Sequence, residues 1–270
     1  MKRILVALVL VVFTVTAFAG QAEAAEKTGA LDRIVANGEL RVGMSGNQPP
    51  YNMKNRKGEL IGLEVDMANL LAEAMNVKPV LVVKPFAQLI PSLLAGEVDV
   101  VMSGMTITAE RNMKVAFIGP YNISGKSILT KSATLAAAEE TADINVENVT
   151  LTALEGSTSQ QFVEILLPDA KLKKVADYDA AVKLLLEDQV NAMVADMEIC
   201  QLTLLRNPDA GLATLSTPLT LEPIGIALAP GDALFINLME NYFATLEIVG
   251  ILEELRIDWF ENPAWLAQMP

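Results

Sequence analysis

The chain has 270 residues with 20 basic and 33 acidic side chains, so its formal net charge is −13 at neutral pH. It contains no histidine and one cysteine, Cys200. This excludes an internal disulfide, Ser-His-Asp and Cys-His catalysis, and histidine-based metal sites. The acidic balance argues against nucleic acid or an anionic membrane as a partner. We expect no cofactor and no metal, and we expect Cys200 to be a small buried hydrophobe.

The first 24 residues have the pattern of a secretory signal peptide. Lys2 and Arg3 precede an apolar run at 4–18, and the candidate cleavage sites Ala17-Phe18-Ala19 and Ala22-Glu23-Ala24 follow. The run is shorter than the ~20 apolar residues of a membrane span. We therefore predict that residues 1–24 are cleaved on export and that the mature protein is periplasmic. The remaining chain is long enough for two domains with separate cores.

The first half of the mature chain alternates between strand and helix patterns. In 64–76, apolar residues recur every three to four positions, which is typical of a helix. Thr108 is placed to cap a helix that begins at Ala109. The predicted strands are 39–43, 80–84 and 98–102, and the predicted helices are 64–76 and 86–95.

The second half alternates in the same way. The predicted strands are 149–154, 171–175, 190–195 and 224–228, and the predicted helices are 157–167, 179–187, a segment ending at 206, 232–247 and 250–260. The alanine-rich, acidic segment 133–143 is expected to form a surface loop or helix. Alternating strands and helices predict an α/β fold with mostly parallel sheets.

Short motifs also occur in a fixed order along nearly the whole mature chain. They are Gly43-(x)5-Pro49-Pro50-Tyr51, Gly62-Leu63-Glu64-Val65-Asp66-Met67-Ala68, Phe86-Ala87-Gln88-Leu89-Ile90-Pro91-Ser92-Leu93, Asp99-(x)3-Ser103-Gly104-Met105-Thr106-Ile107-Thr108-Ala109-Glu110-Arg111, Phe117-x-x-Pro120-Tyr121, Glu155-Gly156-Ser157-Thr158, Asn191-Ala192-Met193-Val194-Ala195-Asp196, Gly225-Ile226-Ala227-Leu228 and Trp259-Phe260. In this order they resemble the polar amino-acid-binding family of type 2 periplasmic binding proteins, also called family 3 of the bacterial extracellular solute-binding proteins, which serve ABC importers.

The resemblance implies a two-lobed, periplasmic-binding-protein-like II (Venus flytrap) fold that closes on its ligand by hinge motion. We place the first lobe at 25–123 and 223–270 and the second lobe at 127–217. The two crossings between lobes are expected at 123–127 and 218–223. The expected partners are a small amino-acid-like ligand and an inner-membrane ABC permease, and the expected state is a monomer.

The resemblance also assigns a carboxylate site in the first lobe. The sequence alone favours a solvated surface arginine at Arg111, and the resemblance reverses this, because the family uses this arginine to hold the ligand α-carboxylate, for which a planar guanidinium is suited. Thr106 would donate to the same carboxylate, and Ser103 and Gly104 would accept from the ligand ammonium. Ser, Gly and Thr are also common in a plain turn from strand to helix.

Across the cleft, the resemblance assigns Asp196 to the ligand ammonium, although Asp is also a common helix N-cap. Ser157 and Thr158 would face the cleft at a helix N-terminus, where Ser157 would also be a cap. Phe86 and Tyr51 could offer apolar faces, with core packing as the alternative for Tyr51. Two positions depart from the family: Gln48 replaces an aromatic residue, and Ser45 stands where binders of cationic side chains often carry an acid.

These residues predict a binding protein for a zwitterion, an amino acid with a neutral or polar side chain, rather than an enzyme. Two alternatives stay open. One is an enzyme similar to cyclohexadienyl (prephenate or arogenate) dehydratases, for which Glu198 or Glu155 could be the acid. The other is a binder of a carboxylate that is not an amino acid. Fold similarity alone does not separate these.

Overall fold

The computed structural model describes residues 29–269, so the signal peptide predicted at residues 1–24 lies outside the described residues. In chain order its helices and strands are α1 (Ala30–Asn37), β1 (Glu39–Met44), β2 (Asn47–Gln48), β3 (Asn52–Lys54), β4 (Leu60–Ile61), α2 (Leu63–Ala74), β5 (Lys78–Val83), α3 (Leu89–Leu94), β6 (Val100–Val101), α4 (Ala109–Asn112), β7 (Ala116–Ser124), β8 (Lys126–Thr130), α5 (Ala133–Ala136), β9 (Thr150–Leu154), α6 (Thr158–Leu166), β10 (Lys171–Val175), α7 (Tyr178–Leu186), β11 (Ala192–Asp196), α8 (Met197–Arg206), β12 (Ala213–Thr214), β13 (Glu222–Leu228), α9 (Ala233–Ile248) and α10 (Ile251–Arg256).

Two five-stranded sheets flanked by helices form the two lobes of an α/β fold. The first sheet has the order β5-β1-β6-β13-β7, and the second has the order β10-β9-β11-β8-β12. A small third sheet, β2-β3-β4, lies beside the first. The chain passes from the first sheet to the second at Gly125 and returns between β12 and β13.

Each large sheet contains two parallel and two antiparallel pairings, which is fewer parallel pairings than the sequence predicted. In the first sheet, β1 pairs in parallel with β5 and β6, whereas β13 is antiparallel to both β6 and β7. In the second, β9 is parallel to β10 and β11, whereas β8 is antiparallel to β11 and β12. The antiparallel pairings involve β7, β8, β12 and β13, the strands that flank the two crossings.

The buried cores explain why these segments fold as they do. One apolar cluster in the first lobe combines residues of α2, β1 and α9, including Met67, Leu71 and Phe235. A second cluster continues from the first lobe into the second through Phe86, Leu129 and Cys200, which is fully buried as expected. Because apolar contacts join the two lobes, the cleft between them is closed in this structure.

Within residues 29–269 no single helix is both long enough and apolar enough to cross a bilayer. The segments Ala233–Ile248 and Ile251–Glu261 reach the required length only together, and they are bent by 77° relative to each other.

Candidate ligand-binding cleft

Arg111 lies between the two lobes and is hydrogen-bonded to both of them. Thr108 caps α4, because its Oγ1 accepts a 3.2 Å hydrogen bond from the Arg111 amide. The Arg111 side chain is buried, with the residue 7% exposed. Its Nη1 donates to the Thr106 carbonyl at 2.8 Å, and its Nη2 donates to the Gly156 carbonyl of the second lobe at 3.1 Å. The guanidinium carbon lies 5.7 Å from the centre of the Phe86 ring.

The Arg111 charge has no direct counterion in the described part of the chain. Among residues 29–269, no carboxylate oxygen lies within 4.0 Å of an Arg111 guanidinium nitrogen. Burial lowers the pKa of Arg111, and the more distant carboxylates of Asp196 and Glu222 offset this only in part. A buried cation without a paired anion is unfavourable. A ligand carboxylate at this place would therefore be strongly stabilised.

Two threonines meet across the cleft beside Arg111. Thr106 Oγ1 of the first lobe lies 3.2 Å from Thr158 Oγ1 of the second. Thr106 sits in the turn after β6 and also forms an isolated bridge with Ile224 of β13, which fixes its backbone. The structure thus brings together three of the residues that the sequence assigned to the ligand, from both lobes.

Ser103, Gly104 and Gln48 form a connected polar group on the first lobe. Gln48 Oε1 accepts from the Ser45 hydroxyl at 2.7 Å and from the Ser103 hydroxyl at 2.5 Å. Gly104 has φ +52°, and a Cβ there would approach Gln48 Nε2 to 3.1 Å. The two departures from the family pattern, Ser45 and Gln48, are therefore hydrogen-bonded to each other.

Glu64, which the sequence reading did not single out as a site residue, holds this group in place. It is fully buried, its Oε1 accepts from the Gly104 amide at 2.7 Å and from the Tyr121 hydroxyl, and its Oε2 accepts from Asn52 Nδ2 at 2.6 Å. Burial raises the pKa of Glu64 to about 7, although the hydrogen bonds from Tyr121, Gly104 and Asn52 favour its charged form. Its sequence signal is weak, because Glu64 is one of two acids, with Asp66, in the first turn of α2.

Asp196 ends β11 on the second lobe and is ion-paired with Lys126. The two residues are directly opposite each other in the antiparallel β8–β11 pairing. Lys126 is 1% exposed, and its Nζ also lies 3.6 Å from Glu222 Oε2. Asp196 occupies the N-cap position of α8, yet its side chain makes no capping hydrogen bond. The sequence reading missed Lys126, a lysine in an apolar strand immediately after Gly125.

Glu198 and Glu155, the two acids considered for catalysis, differ in environment. Glu198 lies in the first turn of α8, and its Oε2 accepts from the Ser124 hydroxyl at 2.5 Å. Burial raises the pKa of Glu198 to about 7, and the nearby charge of Asp196 adds to this rise. Glu155 is solvent-exposed. Glu198 therefore has the environment of a carboxylic acid that keeps a proton near neutral pH.

Ser157 and Tyr51, two more of the predicted site residues, make their contacts with other residues of the protein. The Ser157 hydroxyl donates its one proton to the Leu154 carbonyl at 2.6 Å, and its oxygen caps α6 by accepting from the Gln160 amide at 3.1 Å. Tyr51 is fully buried, packs edge-on against Phe260 at 5.5 Å, and accepts from Asn122 at 2.7 Å. Core packing is the role that its contacts support.

Known proteins match this chain over most of its length. The family model for bacterial extracellular solute-binding proteins, family 3, matches residues 40–262. ABC transporter arginine-binding protein 1 of Escherichia coli (strain K12) is 26% identical over 263 residues, covering 96% of this chain and 99% of that protein. Cyclohexadienyl dehydratase of Pseudomonas aeruginosa is 26% identical over 231 residues, covering 86% of each.

Solved structures of amino-acid-binding proteins are also similar to this chain. The crystal structure of an ancestral amino acid-binding protein, a precursor of cyclohexadienyl dehydratase, has a TM-score of 0.78 at 31% identity and covers 86% of this chain and 100% of that one. The chain belongs to family 3 of the bacterial extracellular solute-binding proteins. Most members of this family are amino-acid-binding proteins of ABC transporters rather than enzymes.

Proposed function

We propose that this protein is the periplasmic solute-binding component of an ABC importer and that it holds a small carboxylic acid of amino-acid size between its lobes. The observation that carries the proposal is Arg111, a buried cation that bridges both lobes and has no direct counterion in the described residues. Arg is well suited to a carboxylate because its planar fork can donate two parallel hydrogen bonds. The loaded protein would deliver the acid to an inner-membrane permease as a monomer.

An α-amino acid with a neutral or polar side chain is the ligand that the sequence suggested. The names of relatives support amino acids as a class, including an arginine-binding protein and an ancestral amino acid-binding protein. Ser45 stands where the family's binders of cationic side chains often carry an acid, which supports a ligand without a cationic side chain. The role of Asp196 as the ammonium partner stays a prediction, since Lys126 already pairs with it.

A thermal-shift screen across amino acids, 2-oxo acids and 2-hydroxy acids tests the proposed function. A ligand that binds only the folded protein raises its apparent stability by mass action. We expect at least one small carboxylic acid to raise Tm in the wild type and not in Arg111→Ala. If no carboxylic acid shifts Tm, or if the same acid shifts Arg111→Ala equally, the proposed function is wrong.

Export is the second part of the proposal. Mass spectrometry of the periplasmic fraction should find a mature N-terminus near Gly20 or Ala25. Recovery of the chain with Met1 in a membrane fraction would contradict cleavage.

Glu198 supports one second candidate, a dehydratase of the cyclohexadienyl type. A carboxyl group with a pKa of about 7 beside the cleft could protonate a leaving hydroxyl. One relative has this activity in its name. The assay is phenylpyruvate formation from prephenate by wild type and Glu198→Gln. Turnover that is lost in the variant would favour the enzyme, and no turnover in the wild type would favour the binding protein.

A further inference from the structure

The Lys126–Asp196 ion pair occupies the place where the ligand ammonium was expected. Both residues are buried, and Lys126 Nζ contacts Asp196 Oδ1 while lying 3.6 Å from Glu222 Oε2. The pairing follows from the backbone, because the two residues face each other in the β8–β11 register. Lys126 also begins β8 directly after the crossing at Gly125, where its amide donates to Thr220 Oγ1 at 2.9 Å. The lysine is thus fixed at both its backbone and its ammonium.

This arrangement changes which ligand groups the cleft accepts. A ligand ammonium that approached Asp196 would have to share one carboxylate with the Lys126 ammonium, and like charges placed side by side in a buried site are costly. Lysine presents three N–H donors and no acceptor. Asp196 accepts one of these donors, whereas Glu222 Oε2, at 3.6 Å, is a nearby charge beyond hydrogen-bond distance. A neutral oxygen of a ligand could accept a remaining donor.

We propose that the Lys126 ammonium occupies the position beside Asp196 where a ligand ammonium would otherwise bind. The cleft then selects a carboxylic acid whose α-substituent is an oxo or hydroxyl group. Arg111 then holds the carboxylate, and Lys126 donates to the α-oxygen. Asp196 serves as the counterion of Lys126 and as a positioning residue rather than as a ligand contact. The inference deepens the proposed function and rests on it, because it requires a carboxylate at Arg111.

Matched pairs of compounds that differ only at the α-carbon test this directly in the wild-type protein. The pairs are L-alanine with pyruvate, L-leucine with 4-methyl-2-oxopentanoate, L-phenylalanine with phenylpyruvate, and L-glutamate with 2-oxoglutarate. Calorimetry should show the 2-oxo acid of the best-fitting pair binding at least about tenfold more tightly than its amino acid. An amino acid that binds more tightly than its 2-oxo partner overturns the inference and leaves the proposed function standing.

Lys126→Met should reverse the preference, because it frees Asp196 and Glu222 for a ligand ammonium. We expect the amino acid to gain and the 2-oxo acid to lose at least about tenfold in affinity. Lys131→Met is the matched control: Lys131 lies five residues further on and pairs with Asp188 at the surface, so its loss should change neither affinity. If Lys126→Met leaves both affinities at their wild-type values, Lys126 does not face the ligand and the inference is wrong.

Failure of the inference about Lys126 can be distinguished from failure of the proposed function. If no member of any pair binds and no acid in the wider screen raises Tm, the proposed function fails first. Circular dichroism checks that Lys126→Met is folded, and Lys126→Gln, which keeps one N–H donor for the α-oxygen, is the second variant. We expect Lys126→Gln to keep more of the 2-oxo acid affinity than Lys126→Met does, and equal losses in the two variants would argue against a donor role.

Discussion

Gly156 of the second lobe packs directly against Ala87 of the first. A Cβ on Gly156 would come 3.0 Å from both the Cα and the Cβ of Ala87, which is closer than an ordinary van der Waals contact. The carbonyl of the same glycine accepts from Arg111 Nη2. The lobes therefore reach the closed arrangement at a point where the second lobe has no side chain, immediately beside the guanidinium.

Gly156→Ala should hinder closure and weaken ligand binding. Overpacking a tight contact costs about 1–3 kcal/mol, which corresponds to roughly 5- to 150-fold in affinity. The penalty applies to the closed state, because an open cleft separates Gly156 from Ala87. Calorimetry with the ligand found by the screen measures the loss, and small-angle scattering should show the variant staying more open than the wild type at equal ligand concentration.

Gly211→Ala is the control for backbone strain. Gly156 and Gly211 have similar positive φ angles, +75° and +66°, but Gly211 has no atom within 4 Å of its added Cβ. Both variants should lose similar stability in the ligand-free form, since both place alanine in the left-handed region. If Gly211→Ala weakens ligand binding as much as Gly156→Ala does, the contact with Ala87 is not the cause.

Arg111→Lys should bind the ligand weakly even though it keeps the positive charge. A lysine ammonium cannot make the paired, parallel hydrogen bonds of a guanidinium, and it cannot reach the Thr106 and Gly156 carbonyls at the same time in the same plane. Removing one partner of a buried charge pair costs ~2–5 kcal/mol, so Arg111→Ala should lose at least about 30-fold in affinity. Arg111→Lys should recover only part of this loss.

Arg256→Ala is a suitable comparison in the same calorimetry. Arg256, on α10, pairs with Glu247 and Glu253, whose side chains are more than half exposed, and it donates to the Tyr121 carbonyl at 3.0 Å. Its loss should leave ligand affinity unchanged. Equal losses in Arg111→Ala and Arg256→Ala would mean that general destabilisation, not carboxylate binding, explains the effect.

The sequence predicted the elements whose packing is local. The 3–4 spacing from Val65 to Met75 corresponds to α2 (Leu63–Ala74), and the capping residues Thr108 and Ser157 stand where α4 and α6 begin. The strand predicted at 98–102 is shorter, Val100–Val101. The small sheet β2-β3-β4 was not predicted, because strands of two or three residues carry no usable periodicity.

Register between distant strands explains what the sequence could not reveal about the site. Lys126 and Asp196 are 70 residues apart, and only the pairing of β8 with β11 places them side by side. Glu64, on α2, reaches the Gly104 amide across 40 residues, which depends on how that helix packs in the first lobe. Single residues such as Arg111 could be proposed from a motif, whereas the partners that set their charge balance depend on how the sheets assemble.

Near neutral pH, Glu64→Gln removes a buried charge but also disturbs the loop that carries Gly104, so it should stabilise the protein less than Glu198→Gln does. The amide oxygen of Gln can still accept from Gly104 and Tyr121, but its Nε2 would face Asn52 Nδ2, which is also a donor. Asn52 cannot simply flip, because its Oδ1 accepts from the Gly46 amide at 2.6 Å. A buried unsatisfied donor costs about 1–3 kcal/mol. Urea unfolding measures this, and Glu59→Gln is the control, because Glu59 is an exposed glutamate that accepts from Asn55 Nδ2.

The stability of the wild type should fall as pH rises from about 4.5 to about 7. Burial raises the pKa values of Glu64 and Glu198 from 4.5 to about 7 in the folded protein. In this window the unfolded chain has released protons that the folded protein still holds, so the free energy of unfolding decreases by up to ~1.4 kcal/mol per pH unit for each group. Above about pH 7 both states are deprotonated and the change ends.

Glu198→Gln isolates one of these two contributions, because its amide oxygen can still accept from the Ser124 hydroxyl. Urea unfolding of wild type and variant should be compared at intervals between about pH 5 and pH 8. The variant should show a shallower decline across the window, and its gain in stability over the wild type should grow toward neutral pH, up to ~3 kcal/mol. Parallel pH profiles for the two proteins would mean that Glu198 titrates near its ordinary pKa, and would remove the acid on which the dehydratase alternative depends.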